Sequence, residues 1–137
     1  MKKVFLLFVV SIVALSCSLN NDDTRFYYEI LPVESYEVPE SFNFGEIYTL
    51  KITYKKPTEC HTEQTLYFEK LDTTRTVAVQ SLVLDRNNCD SLPDAPPIEG
   101  TFRFEVLSTT PYLFKFYKGK DENGENIFEE VAIPVNN

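Results

Sequence analysis

Apolar and polar residues alternate with a period of two along most of this chain. That spacing turns one side of a β-strand toward a core and the other toward water. The clearest case is Glu46 to Lys55, where Tyr48, Leu50, Ile52 and Tyr54 share one face and Thr49, Lys51, Thr53 and Lys55 the other. The same pattern predicts a strand at Thr65–Leu71 with Leu66 and Phe68 on one side. It predicts another at Arg75–Leu84 with Val77, Val79 and Val83 inward, and a third at Thr101–Leu107 with Phe102, Phe104 and Val106 aligned. Near the C-terminus, Tyr112–Lys118 aligns Tyr112, Phe114 and Phe116, and Ile127–Val135 aligns Ile127, Val131, Ile133 and Val135. Between these two lies Asn123-Gly124, a pair that accepts positive φ and signals a hairpin. Shorter strands are expected at Phe26–Leu31 and Ser35–Val38, each followed by a proline.

Pro57–Glu63 reads as a loop carrying Cys60. Asp85–Gly100 reads as a long irregular stretch carrying Cys89, because Pro93, Pro96 and Pro97 exclude a central strand there. No helical periodicity appears after residue 16. Seven or eight strands at this spacing predict an all-β fold, an antiparallel sandwich of two sheets in a single domain over residues 26–137.

The N-terminus breaks the pattern. Met1-Lys2-Lys3 precedes an apolar run from Val4 to Leu15, then Ser16-Cys17, which is the layout of a secretory signal peptide. The run falls short of the roughly 20 residues of a transmembrane helix and lacks a positively charged flank. Ala14-Leu15-Ser16-Cys17 resembles the lipobox of bacterial lipoproteins, in which the cysteine thiol is diacylglycerated and becomes the mature N-terminus. Ala14 stands where the commonest lipobox has leucine.

The start Cys17-Ser18-Leu19-Asn20-Asn21-Asp22-Asp23 is similar to that of small lipoproteins of the Bacteroidota, as are Phe116-Tyr117-Lys118-Gly119 and Gly124-Glu125-Asn126-Ile127-Phe128-Glu129-Glu130. The resemblance implies a signal peptide at 1–16, a lipidated Cys17 bearing chains such as palmitate, and a flexible tether at 17–25. It also implies an immunoglobulin-like sandwich at 26–137, held at the bacterial outer membrane. Acidic residues just behind the cysteine imply display on the cell surface. Each buried CH₂ contributes about 0.8 kcal/mol, so two or more acyl chains hold a domain stably.

Charge narrows the partners. The formal net charge of −8 becomes −10 when Lys2 and Lys3 leave with the signal segment. A chain this acidic is a poor match for nucleic acid and for charge-driven adhesion to anionic lipid. Membrane attachment is therefore left to the acyl chains.

Three cysteines are present. With Cys17 lipidated, Cys60 and Cys89 remain, and export to an oxidising compartment makes a disulfide the expectation. Closing a loop of this length stabilises a fold by about 3 to 4 kcal/mol in the chain-entropy model. His61 beside Cys60 and Asp90 beside Cys89 raise a metal site as the rival, but neither pair has zinc-ligand spacing.

Candidate chemistry is sparse. His61 is the single histidine, so any Ser–His–Asp or Cys–His arrangement must use it. Next to a disulfide in a loop, it reads as solvent-facing. Glu129 and Glu130 are adjacent on a strand and point to opposite faces, which denies them joint acid–base work. Asp121 to Asn126 is rich in oxygen ligands but lacks the EF-hand register, and reads as a hairpin turn. No catalytic residue, metal ligand or cofactor is expected.

Most of the 11 Phe and 8 Tyr fall on core-facing positions. Tyr67, Tyr117 and Phe128 do not, which makes them candidate interface residues. The function expected is a non-enzymatic binding or accessory module of the cell envelope, with an envelope protein or a glycan as partner. A carbohydrate- or peptide-binding surface module is the first rival and would show an exposed aromatic row or an open sheet edge. A small envelope enzyme, with a pocket gathering His61 and acids, is the second.

Overall fold

A computed structural model describes residues 24–137. The signal segment 1–16, Cys17 and the tether as far as Asp23 lie outside the described residues. The rest is all-β. The strands are β1 (Phe26–Leu31), β2 (Ser35–Glu37), β3 (Phe42–Asn43), β4 (Ile47–Tyr54) and β5 (His61–Leu71). They continue as β6 (Thr74–Leu84), β7 (Ile98–Glu105), β8 (Tyr112–Lys120), β9 (Asn126–Ile133) and β10 (Val135–Asn136).

Strand β6 is the spine of a five-stranded sheet. Along one side it pairs antiparallel with β5, from Leu71↔Thr74 to His61↔Val83. Its other side is shared. β1 runs antiparallel beside residues 79–84, and β8 runs parallel beside Thr74–Val77. The handover falls where Pro32, lacking an N–H, ends β1; Val33 then donates its backbone N–H to the Tyr117 carbonyl at 2.8 Å. β9 pairs with β8 beyond it, and β2, β4 and β7 form a three-stranded sheet in the order β2-β4-β7. β3 and β10 make a two-stranded parallel ribbon.

The inward faces meet as the alternation requires. Leu50 and Ile52 from the smaller sheet and Val77, Val79, Phe114 and Phe116 from the larger are all buried. Phe42 packs its ring within 5.1 Å of Phe104 and 6.0 Å of Phe114, centroid to centroid. The buried Tyr112 hydroxyl accepts the backbone N–H groups of Leu107 and Ser108 at 3.0 and 2.9 Å, so its polar end is satisfied.

Four local features differ from the sequence reading. β5 begins at His61 inside the expected loop, and β7 begins at Ile98, directly after Pro97, because the β4 ladder continues to Tyr54↔Ile98. β3 and β10 are two residues long, too short to show any periodicity. In the β8–β9 turn only Gly124 of the Asn-Gly pair takes a positive φ, of 82°. The Asp121 carboxylate accepts the N–H groups of Asn123 and Glu125 at 2.8 and 2.9 Å, and this bracket, rather than two left-handed residues, shapes the turn. Finally, β8 bulges between Tyr117 and Gly119, where Gly119 takes φ 106°.

Cys60 and Cys89 form a disulfide with Cα atoms 5.5 Å apart. It ties the chain just before β5 to the segment that leads into β7, beside the Thr58↔Ser91 bridge.

The two sheets meet along two sides of the sandwich. On one, β2 faces β9: the Tyr36 ring stacks on Phe116 with centroids 3.9 Å apart, and its hydroxyl donates to Glu129 Oε1 at 2.7 Å. Lys118 Nζ lies 3.3 Å from Glu129 and donates to the carbonyls of Val33 and Glu34 at 2.9 and 2.8 Å. Burial, and then the Glu129 carboxylate, push the Tyr36 phenol up to about 12. The bonds from Tyr36 and Lys118 hold Glu129 below the ordinary carboxylate range. On the other side β5 faces β7, joined by the rings of Phe68 and Phe102 at 5.5 Å.

Candidate functional site

A broad cleft lies on the outer face of the five-stranded sheet. Val77 and Val79 point into the core, so the residues between and beside them point out. Those residues, Thr76 and Ala78, are small, and they form a low floor. Taller side chains rise on both flanks. β5 contributes Tyr67, the cross-strand partner of Ala78, and Glu69, the partner of Thr76. β1 contributes Tyr28 and Ile30, while β8 and β9 contribute Tyr117 and its partner Phe128. The result is a trough of about 750 Å³, within the range of small-ligand sites, with Lys120 and Asn126 also in its lining.

The rings differ in how firmly they are held. Tyr117 is only 7% exposed, so the outward-pointing position that alternation assigns it is covered by its neighbours. Phe128 packs on it with centroids 5.8 Å apart and is half-buried. Lys115 Nζ sits 4.8 Å from the Phe128 ring centroid, and is held there by Glu130 at 3.3 Å. Across the floor, Tyr67 is 37% exposed and Tyr28 more so. One wall is packed and largely buried, and the other presents open ring faces.

All three aromatic residues singled out by alternation therefore reach one trough. Tyr28 and Ile30 escaped the sequence reading. Their strand is short and carries Phe26, Tyr27, Tyr28 and Ile30, so alternation assigned it no wet side. The signal that could have found them is the run of aromatics itself, since four large side chains cannot all enter one core from six residues.

His61 overturns its expectation. It is 4% exposed, not solvent-facing. Its Nδ1 lies 2.8 Å from Thr58 Oγ1 and its Nε2 lies 2.8 Å from Glu29 Oε2. Strand pairing is the reason: His61 opens β5 opposite Val83, and Glu29 lies across β6 opposite Ser81, so both flank the spine on its inner face. Each ring nitrogen thus has one partner, a hydroxyl of its own loop at Nδ1 and a carboxylate from β1 at Nε2. Thr58 Oγ1 also accepts the Cys60 N–H at 3.2 Å, which anchors the hydroxyl in its own loop. His61 lines neither the trough nor the two smaller clefts between β5 and β7.

Glu129 and Glu130 diverge as their adjacency requires, one bonded to Tyr36 and the other to Lys115. Among the described residues, no three His, Cys, Asp or Glu side chains gather as a cation site. Nor is any helix among them long and apolar enough to cross a membrane.

Comparison with protein-family models, with curated proteins and with solved structures finds no match for this chain.

Proposed function

We propose that this chain is a lipid-anchored module of the bacterial cell envelope, held at the outer membrane through Cys17, that binds a saccharide in the aromatic trough without turning it over. One observation carries the reading: four rings, Tyr28, Tyr67, Tyr117 and Phe128, surround a floor of small residues, with Glu69, Lys120 and Asn126 beside them. Sugar rings present flat C–H faces that stack on aromatic rings and hydroxyls that need donors and acceptors close by. The trough supplies both. The acidic surface suits a neutral or basic glycan better than a polyanionic one.

Binding of the purified protein to an array of neutral and amino glycans, followed by calorimetry on any hit, tests this. Tyr67→Ala and Tyr28→Ala, both at exposed positions, are each expected to weaken binding by about tenfold. Far-ultraviolet circular dichroism is expected to stay unchanged. A hit whose affinity neither substitution alters would place the site elsewhere.

The peptide-binding alternative has one observation in its favour. Among the described residues β5 pairs only with β6, so its other edge is open beside Tyr67 and could accept an added strand. Peptide binding that survives both Tyr substitutions would favour that edge over the trough.

The anchor has its own test. Palmitate labelling is expected for the parent chain and not for Cys17→Ser, with the variant leaving the membrane fraction. Protease treatment of intact cells then reads whether the module faces outward.

A further inference from the structure

The seam between β5 and β7 holds a second cleft, of about 440 Å³, and its charge is the reverse of the chain's. Lys70, Arg75 and Arg103 line it, with Glu105 as the one carboxylate of the lining. Outside it, Lys51, Lys55, Lys115 and Lys118 each have a carboxylate oxygen between 3.3 and 3.9 Å away, while Arg25, Lys56, Arg86 and Lys120 have none among the described residues. Among the described residues none of the three in this cleft has one within ion-pair distance, although acids outnumber bases in the chain.

The arrangement opposes the interests of the fold. Lys70 and Arg75 are direct cross-strand partners, and like charges in that register repel. Arg75 is nonetheless held firmly. Its guanidinium lies 4.9 Å from the Tyr112 ring centroid and 5.9 Å from that of Phe104. Its Nη1 donates to the carbonyls of Asp72 and Thr74 at 2.7 and 2.8 Å. Its Nε is buried and has no hydrogen-bond partner. A guanidinium fixed in this way, flanked by two cations without carboxylate partners, is pre-organised for an anion. The rim is apolar: Ile47 is 51% exposed and Leu107 71%.

We infer that this cleft is an anion site, separate from the aromatic trough, for a small carboxylate attached to an apolar group. The carboxylate answers Arg75, Lys70 and Arg103, and the apolar portion covers Ile47 and Leu107. The inference does not depend on the trough being a saccharide site.

Sodium benzoate is the probe. It is titrated into the purified, ¹⁵N-labelled protein, with benzyl alcohol and inorganic phosphate as comparisons, and the Arg75 Nε–H resonance is followed. A saturable shift with benzoate is expected, and none with benzyl alcohol. Lys70→Ala and Arg103→Ala, both exposed and unpaired, are expected to keep the fold and together weaken benzoate by about tenfold. Lys120→Ala, in the trough, is expected to leave it unchanged. No saturable response to benzoate would overturn the inference, as would an equal response to benzyl alcohol, binding of phosphate alone, or an affinity indifferent to the double substitution.

Discussion

The two sides of the sandwich, where an edge of one sheet meets an edge of the other, are closed in opposite ways. Between β2 and β9 the closure is made by side chains: a stacked ring pair, a phenol-to-carboxylate bond and a lysine donating to two backbone carbonyls. Between β5 and β7 side-chain closure is thin, one ring contact, and a covalent bond stands at one end. Two clefts remain there, one of them lined with unpaired cations. A small domain leaves a seam open only at a cost in stability, since exposed walls lose burial. The disulfide offsets that cost for β5 and β7 without filling the space between them. The filled seam is closed by packing, and the open one leaves clefts that the fold itself does not fill.

This contrast can be broken at its strongest point first. Replacing Cys60 and Cys89 together by Ser is expected to lower unfolding free energy by about 3 to 4 kcal/mol, read by chemical denaturation. Limited proteolysis is expected to cut the segment 85–97 before any other. An undiminished stability would mean that the β5–β7 side does not depend on its covalent tie.

On the filled side, Tyr36→Phe keeps the stack on Phe116 and removes only the bond to Glu129. A loss of about 0.5 to 1 kcal/mol is expected, at the low end of hydrogen-bond values because solvent reaches the pair. Its pH dependence is sharper than its size. The folded state holds the Tyr36 phenol at about 12 against an ordinary value of 10.0, so its contribution is complete below pH 10 and fades as pH rises toward 12. Thermal melts from pH 8 to 12 are expected to show a steeper alkaline fall for the parent chain than for Tyr36→Phe. Glu129 runs the other way. Its folded carboxyl is held low, so its contribution is present above the ordinary carboxylate range and is lost as pH drops below it. Glu129→Gln is expected to flatten the acid side of the stability profile. Parallel profiles for parent and variants would show that the pair does not couple to folding.

The smallest effect is expected on the outer surface of the three-stranded sheet. Lys51 lies 3.8 Å from Glu37 and 3.9 Å from Glu99, all exposed, and Lys51→Ala is expected to change stability by less than about 0.5 kcal/mol. A larger loss would mean that charge on the sheet face matters as much as closure of its edges.

Much of this was legible along the chain. The alternation in β4, β6 and β8 named the core faces correctly, and it named Tyr67, Tyr117 and Phe128 as facing away from them. It did so because a strand's pleat is local: each residue's side follows from its neighbours' positions. It failed at β1, where aromatics occupy successive positions and no wet side stands out. It also failed at His61, read as a loop residue on the surface. Nothing near position 61 shows that Glu29 will lie one strand beyond β6, ready to accept from the imidazole.

Strand identity and facing were thus set by the order of residues, through geometry that acts over two or three positions. Convergence was decided by pairing. β6 shares one edge between β1 and β8, and only that arrangement brings Tyr28, Tyr67, Tyr117 and Phe128 around one small-residue floor. The same holds for Lys70, Arg75 and Arg103, two on adjoining strands and the third on the facing sheet. Side-chain direction is a property of the local backbone; proximity across strands is a property of register, which exists only once the sheets have formed.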